Sequence, residues 1–271
     1  KSLTPDWKGE RFADGRPKVP DAILERLKNI SVEEAWGFLR NRGYHNQFER
    51  NWQMLHPDGV MTGRVITAQY MPLRPDYNNY IKEQGKIENR AQQGGTNSWP
   101  IDILTEGDVY VADSYGKIVD GTLIGDNLGN SIYSKSKRGF VFYGSVRDQE
   151  GLSEIEGFNG WFLGSDPSYI TQMMLTSINT PIRIGKATVF PGDVVLAKKY
   201  GVVFIPAHLV QELVINGEVT ALRDEFGHLR LKEGKYKPGE IDSRWSDEIT
   251  QDFINWVKNY AGKLPMSKQE L

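Results

Sequence analysis

The stretch GTLIGDNLGNSIYSKSKRGFVFYGSVRDQEG, residues 121–151, decides the fold. It joins the end of one β-rich apolar run, residues 118–124, to a second run at residues 140–146, and a helix-like segment at residues 127–138 lies between them. Strand, helix and strand in this order form the repeating unit of α/β proteins with parallel strands. We therefore expect an α/β domain in which the two runs are neighbours in one sheet.

Charged residues follow each run directly. Asp126 comes after the first run, and the pair Arg147-Asp148 comes after the second, with twenty residues between Asp126 and Arg147. The carboxyl ends of parallel strands meet at one edge of a sheet, where open α/β sheets bind ligands, so the three side chains are expected to converge there. An arginine fork suits a carboxylate, and an aspartate beside it suits a hard divalent cation.

Each of these residues also has an ordinary structural explanation. Aspartate is a favoured helix N-cap, so Asp126 could serve only to begin the helix. The pair Arg147-Asp148 could be a surface ion pair. The chain's other Arg-Asp pair, at residues 223–224, has a valine instead of an aspartate at the matching upstream position. The spacing upstream of Arg147 is therefore the feature that favours a site.

Composition excludes several classes of function. The chain has 271 residues, 39% hydrophobic and 25% charged, and its 33 basic and 35 acidic residues leave a net charge of −2, which does not call for nucleic acid. Cysteine is absent, so thiol catalysis, disulfides and cysteine-ligated metals are excluded. The four histidines form no i, i+4 pair, which argues against a histidine zinc site. No glycine-rich fingerprint follows a strand, which argues against a nucleotide or S-adenosylmethionine pocket.

Patterns outside the central stretch indicate further elements. Ser31 followed by Glu34 predicts a capping box that begins a helix. A short helix is expected at residues 208–214 and a polar connection at residues 231–242. The segment 246–260 predicts an amphipathic helix, whose apolar face either packs on the chain's own core or serves an interface.

The central stretch resembles the RraA-like family, named for a regulator of ribonuclease activity, and above all its metal-dependent aldolases. Relatives of this kind often carry the name demethylmenaquinone methyltransferase. Their signature is an aspartate, twenty residues, then Arg-Asp, and strands around two Gly-Asp motifs, at residues 107–108 and 192–193, match in kind. The resemblance covers residues 55–215. It implies a swivelling β/β/α domain there, preceded by an N-terminal arm with helices at residues 1–54 and followed by a C-terminal extension with the amphipathic helix at residues 216–271.

The resemblance also implies roles for the site residues. Arg147 binds the carboxylate of a 2-oxo acid, together with the backbone amides of Asn127 and Leu128, which open the helix. Asp148 ligates Mg²⁺ or Mn²⁺, and Asp126 orients or deprotonates a water that relays protons. The implied reaction is a class II aldolase cleavage of a 4-hydroxy-2-oxo acid to pyruvate, with oxaloacetate decarboxylation as a possible companion.

The family leaves a second reading open, a non-enzymatic regulator that binds ribonuclease machinery. Asp148 favours the enzyme, because the family's regulators tend to lack this acid. The family implies a homotrimer or hexamer with a small-molecule substrate. The balanced charge and the lack of a long apolar run predict neither nucleic acid nor a membrane as a partner. The family also implies a cytoplasmic protein, whereas the absence of an initiator methionine leaves a processed, exported chain open.

Overall fold

Parallel strands at the centre of one mixed sheet set the architecture. The computed structural model describes residues 1–260 together with residues 262, 264, 266 and 267. In chain order the strands are β1 (Phe48–Glu49), β2 (Gln53–Met54), β3 (Met61–Pro72), β4 (Asp108–Asp113), β5 (Gly139–Val146), β6 (Asn159–Ser165), β7 (Met173–Ile178), β8 (Ile182–Ile184), β9 (Ala187–Val189), β10 (Val194–Lys198) and β11 (Gly201–Ile205). The large sheet has the order β1-β11-β10-β3-β4-β5-β6-β2, and β7 pairs with β3.

The four strands from β3 to β6 run parallel, whereas β7 and β10 pair antiparallel with β3, and β8 and β9 form a separate hairpin. The helices are α1 (Asp21–Leu27), α2 (Val32–Arg40), α3 (Pro75–Ile87), α4 (Trp99–Asp102), α5 (Asp126–Ser136), α6 (Gln149–Ser153), α7 (Val210–Lys232), α8 (Pro238–Ile241) and α9 (Asp247–Lys258). The expected α/β class is confirmed.

Both faces of the sheet are buried. Along β4, Val109 and Val111 belong to one apolar cluster, while Tyr110 and Ala112 belong to the cluster on the opposite face. Successive side chains of a strand point to opposite faces, so covered faces on both sides give continuous apolar strands. The hydroxyls of Tyr70 and Tyr110 lie 2.7 Å apart, so two buried polar groups satisfy each other.

A buried ion pair ties the N-terminal arm to this sheet. The guanidinium of Arg16 donates to both carboxylate oxygens of Asp108, at 3.0 and 3.3 Å. The amide and hydroxyl of Thr105 donate to the same carboxylate, each at 2.9 Å. A second arginine, Arg64, donates to the carbonyl of Val19 at 2.8 Å, and its Nε lies 3.9 Å from Asp108. Opposite charges and hydrogen bonds together compensate these buried ions.

The segment expected as a strand at residues 118–124 is not one, and that expectation was wrong. It carries a single bridge, between Thr122 and Ser145, within an otherwise irregular path. Asp120 has a left-handed backbone (φ 57°), which interrupts an extended run. A side-chain contact also holds this path, since the hydroxyl of Thr122 donates to the carbonyl of Ser168 at 2.6 Å. The capping box of Ser31 and Glu34, in contrast, is confirmed.

Two compact units make up the chain, residues 1–210 and the residues from Gln211 onward. The short helix expected at residues 208–214 was wrong in its extent, because α7 continues to Lys232. The predicted three-part division at residues 54 and 215 stays a prediction. Within the described residues, none of the helices has both the length and the apolarity that a membrane crossing requires.

The second unit has an aromatic core of its own. The ring of Phe226 in α7 lies 5.5 Å from that of Phe253 and 5.7 Å from that of Trp256, both in α9. These two α9 side chains therefore pack within their own unit. Of the two alternatives for the apolar face of this helix, the structure thus shows packing on the chain's own core. Arg230 donates to both carboxylate oxygens of Asp252, and this hydrogen bonding lowers the pKa of Asp252 to about 2.

Candidate active site

The aspartates and the arginine of the central stretch meet beyond the carboxyl end of β5. The segment before α5 runs beside this end of the strand: the amide of Leu123 donates to the carbonyl of Ser145, and the amide of Arg147 donates to that of Ile124, each at 2.9 Å. These backbone hydrogen bonds hold the segment beside β5, as the bonds of a neighbouring strand would. The beginning of α5 therefore lies against the Arg147-Asp148 pair.

Gly125 permits the close approach. It occupies the N-cap of α5, and a Cβ added there would lie 2.3 Å from a carboxylate oxygen of Asp148 and 3.1 Å from Nε of Arg147. A side chain at this position would push the ends of both side chains aside. The carboxylate and guanidinium consequently rest on the backbone that begins the helix.

Asp126 is the first residue of α5, and Gly125 takes the N-cap position that the structural alternative assigned to Asp126. One of its carboxylate oxygens accepts a hydrogen bond from the amide of Asn127 at 2.8 Å. The other lies close to α6, because a Cβ added at Gly151 would be 3.4 Å from it. Of the two amides expected to bind an anion, that of Asn127 is thus engaged by Asp126, whereas that of Leu128 lies in the first helical turn, where amides lack intrahelical partners.

Arg147 and Asp148 are only loosely paired. Arg147 Nε lies 3.6 Å from a carboxylate oxygen of Asp148, beyond hydrogen-bonding distance, and the two side chains are 33% and 41% exposed. Tyr169 covers the guanidinium, with its ring centroid 4.8 Å from Cζ. The Arg147 fork is therefore held in place by a ring while its N–H groups stay available. Asp148 itself has a left-handed backbone, φ 54° and ψ 42°, at the N-cap of α6.

A small cavity of about 110 Å³ opens beside Arg147. Its walls include Leu128 of α5 and two residues without a sequence motif, Asn97 and Tyr169. The side-chain amide of Asn97 is buried and donates to the carbonyl of Leu123 at 2.7 Å, which fixes the segment before α5. The volume corresponds to three or four water molecules at roughly 30 Å³ each, the size of a short organic acid.

The donor set suits a weakly held, hydrated cation. Nowhere in the described part of the chain do three or more histidine, aspartate or glutamate side chains cluster as metal ligands. Mg²⁺ commonly binds proteins through one or two carboxylates and keeps several waters. The exposed carboxylate of Asp148 meets that requirement, with Asp126 on the neighbouring helix start.

Comparison with known proteins identifies the family. A family model for RraA-like proteins, described as Aldolase/RraA, matches residues 17–204. The chain belongs to the RraA-like family. This confirms the resemblance carried by the Asp126, Arg147 and Asp148 motif.

Several RraA-like relatives are named for an activity. A protein of Pseudomonas syringae pv. tomato called "Putative 4-hydroxy-4-methyl-2-oxoglutarate aldolase" is 28% identical over 207 residues, which cover 76% of this chain and 96% of that protein. Its namesake from Ectopseudomonas mendocina is 28% identical over 40% of this chain and 66% of its own length. Protein DlpA of Legionella pneumophila is 30% identical over 194 residues, 70% of this chain but only 27% of DlpA.

Solved structures confirm the RraA-like fold. Streptomyces coelicolor RraAS2, described as an unusual member of the RNase ES inhibitor RraA protein family, is 25% identical with a TM-score of 0.67, and the match covers 79% of this chain and all of RraAS2. An uncharacterized protein from Pseudomonas syringae pv. tomato has the same TM-score at 17% identity, over 87% of this chain and 98% of that one. The likeness to the second protein concerns the fold alone.

Proposed function

We propose that this RraA-like protein is a divalent-metal-dependent lyase that cleaves a 4-hydroxy-2-oxo acid and releases pyruvate. The observation that carries the proposal is the Arg147 guanidinium, which faces a small cavity with its fork unengaged, beside the exposed carboxylate of Asp148. The aldolase names of several relatives support the same class of reaction. Oxaloacetate decarboxylation passes through the same enolate and is a second substrate to assay.

Arg147, Asp148 and Asp126 each have a separate role in the proposed reaction. Arg147 binds the substrate carboxylate with two parallel charge-assisted hydrogen bonds, and the amide of Leu128 adds a third donor at the positive end of α5. Asp148 holds Mg²⁺ or Mn²⁺. When bound, the cation supplies Lewis-acid stabilisation of the negative charge that develops on the 2-oxo oxygen. Asp126, with one oxygen near α6, orients the water that takes the proton of the C4 hydroxyl. As the C3–C4 bond breaks, C4 leaves as the carbonyl of the co-product, and the same water returns the proton to C3 of the enolate to give pyruvate.

Pyruvate release measured with a coupled dehydrogenase tests this proposal. Chelation should abolish release and added Mg²⁺ or Mn²⁺ should restore it. Asp148→Asn should raise the metal concentration needed for half-maximal activity by about tenfold or more, and asparagine tolerates the left-handed backbone, so folding is preserved. Glu150→Gln, a neutralisation two residues away on the exposed face of α6, is the matched control and should respond as wild type.

A chelated protein that still releases pyruvate would rule out the metal. No release from any 4-hydroxy-2-oxo acid, in the presence of either cation, would instead favour the second candidate. That candidate is a regulator of ribonuclease machinery, supported by the likeness to RraAS2. Asp148 separates the two, since a regulator has no need of an exposed carboxylate beside an open guanidinium.

The proposed assembly is a homotrimer or a hexamer. The site has one metal-binding carboxylate, one proton-relay acid and a partly exposed guanidinium, so one protomer supplies little of the wall that excludes water. A neighbouring subunit in a closed cyclic oligomer would supply the remainder. Light scattering should then give a mass that is a multiple of three chains.

A further inference from the structure

A second cavity, of about 240 Å³, lies between the N-terminal arm and the segments around Gln47, Phe190 and Ala207. The arm contributes residues 3–7 as one wall. No residue of this wall lines the cavity beside Arg147, so the two cavities are separate. We call this the arm cavity.

Asp193 presents a buried carboxylate to the arm cavity. The residue is 5% exposed, and one of its carboxylate oxygens, Oδ2, accepts a hydrogen bond from the amide of Phe190 at 2.8 Å. The other oxygen has no hydrogen-bond partner among the described residues, although the side chain lines the cavity. A carboxylate oxygen without a protein donor on the wall of a cavity is an acceptor that the donor group of a ligand can use.

Gln47 adds a second acceptor. Its Nε2 donates to the carbonyls of Thr188 and Phe204, each at 3.0 Å, which fixes the orientation of the amide. No described residue donates to the carbonyl oxygen of the same amide, and Gln47 is one of the residues that line the cavity. When the Asp193 carboxyl is ionised, these two side chains offer acceptors and no buried donor, which suits a ligand whose polar end donates hydrogen bonds.

The charged and aromatic residues of the lining limit the class of ligand further. The lining includes a second acid, Asp6, but neither lysine nor arginine, and the one basic residue is the exposed His208. Aromatic side chains of Trp7 and Phe190 form the apolar walls. Ring faces attract cations, and acids without arginine or lysine repel anions.

We propose that the arm cavity binds a small primary ammonium compound with an aromatic or branched apolar body. The ammonium donates to Asp193 and Gln47, and the body lies between Trp7 and Phe190. The volume corresponds to about eight water molecules at roughly 30 Å³ each, which suits a molecule of the size of phenethylamine.

Calorimetric titration with three probes of one shape tests the inference. Phenethylamine carries the ammonium, phenethyl alcohol is neutral, and phenylacetate carries the opposite charge. Phenethylamine should bind saturably, and at least about tenfold more tightly than either of the others, as expected for hydrogen bonds to a charged group. Equal or tighter binding of phenylacetate, or no saturable binding of phenethylamine, would overturn it.

Three variants locate the binding. Asp193→Asn keeps an acceptor for the Phe190 amide but removes the charge, and Thr188→Trp fills the cavity from an exposed position; each should weaken phenethylamine binding about tenfold or more. Asp58→Asn, at a side chain 93% exposed and outside the lining, is the matched control and should bind as wild type. If Asp193→Asn fails to fold, Thr188→Trp still decides.

Unchanged binding in Thr188→Trp would show that the ligand lies elsewhere and would overturn the assignment. The arm cavity shares no residue with the Arg147 site, so pyruvate release is a separate readout. Failure of either proposal therefore leaves the other standing.

Discussion

The protein contains two arginine–aspartate pairs with opposite surroundings. Arg16 and Asp108 are 4% and 0% exposed and form two hydrogen bonds, at 3.0 and 3.3 Å. The side chains of Arg147 and Asp148 are 33% and 41% exposed, and Nε of Arg147 lies 3.6 Å from a carboxylate oxygen of Asp148. The first pair satisfies itself and orders the arm on the sheet. In the second pair the guanidinium N–H groups and the carboxylate oxygens remain available for hydrogen bonds to solvent or to a ligand in the cavity.

The difference shows that residue type does not separate a structural pair from a chemical one. Asp108 accepts four hydrogen bonds, two from Arg16 and two from Thr105, so no substrate or cation can use it. Asp148 has a left-handed backbone, and its carboxylate lies against Gly125 at the beginning of α5. Buried pairs are sensitive to the loss of one partner, whereas exposed pairs contribute little to folding.

The largest expected effect is on the buried pair. Asp108→Ala leaves the guanidinium of Arg16 uncompensated in the interior and removes an acceptor near Arg64, so the free energy of unfolding should fall by about 3–5 kcal/mol. Urea denaturation followed by circular dichroism measures this. Asp148→Asn is the comparison, because asparagine tolerates the left-handed backbone, and it should change stability by less than about 1 kcal/mol. Equal losses in the two variants would remove the distinction between the pairs.

The reverse experiment concerns activity. Arg147→Lys keeps the charge but loses the fork, so transition-state binding of a 2-oxo acid should weaken by about 2–4 kcal/mol, which is about 30- to 1,000-fold in kcat/KM. Stability should be unchanged, because the side chain is partly exposed. Arg16→Lys serves as the control, with stability lost and kcat/KM retained in the folded fraction. Wild-type turnover and affinity in Arg147→Lys would refute the carboxylate role.

Asp193 extends the comparison, because it is a buried acid like Asp108 but has no arginine partner. Burial raises the pKa of Asp193 to about 7. A folded-state pKa above the unfolded value means that the stabilising contribution is complete below pH 3.8 and is lost as the pH rises through about 7. Between pH 6 and pH 8 the loss should be on the order of 1 kcal/mol.

Asp193→Asn isolates this titration. Asp6, Tyr44 and His208 also line the arm cavity and can titrate, so the quantity to measure is the difference in unfolding free energy between wild type and variant across pH 5–9. The variant should gain on wild type as the pH rises. A constant difference would mean that Asp193 stays ionised in the folded protein.

The smallest expected effect is at the ring over Arg147. Tyr169→Ala removes a cation–π contact worth about 0.5–1 kcal/mol at an exposed site, so KM for the 2-oxo acid should rise by a factor of about two to five while kcat changes less. Tyr169→Phe keeps the ring face and should behave as wild type. A loss in Tyr169→Phe equal to that in Tyr169→Ala would point to the hydroxyl instead.

Local signals in the sequence predicted local structure well. The capping box at Ser31 and Glu34 depends on residues three apart, and the helix after Asp126 begins where the apolar run ends, so both were predictable. The strand at residues 118–124 was not, because a short buried apolar run has the same composition in a strand and in an irregular segment. The turn at Asp120 and the hydroxyl contact of Thr122 decide between them.

Contacts between residues far apart in the chain could not be predicted from the sequence. Arg16 and Asp108 are 92 positions apart, and neither carries a motif. Strand β7 pairs with β3 across about a hundred residues, and no pattern pointed to it. The convergence of Asp126, Arg147 and Asp148 was expected from the rule for parallel strands, whereas Tyr169 over the guanidinium was not. Their roles as catalytic, substrate-binding and metal-binding residues stay a prediction.

Because Asp148 has a left-handed backbone, folding stability and catalysis are expected to favour different residues at position 148. An ordinary side chain in that conformation costs about 1–2 kcal/mol and an aspartate less, whereas glycine avoids the strain at an entropic cost of about 0.5–1 kcal/mol. In a library with residue 148 fully randomised, survival after heating should enrich glycine, whereas screening for turnover should enrich aspartate. The carboxylate would then be retained for chemistry against the preference of the fold, and the ratio of the two residues would measure how strongly each demand acts.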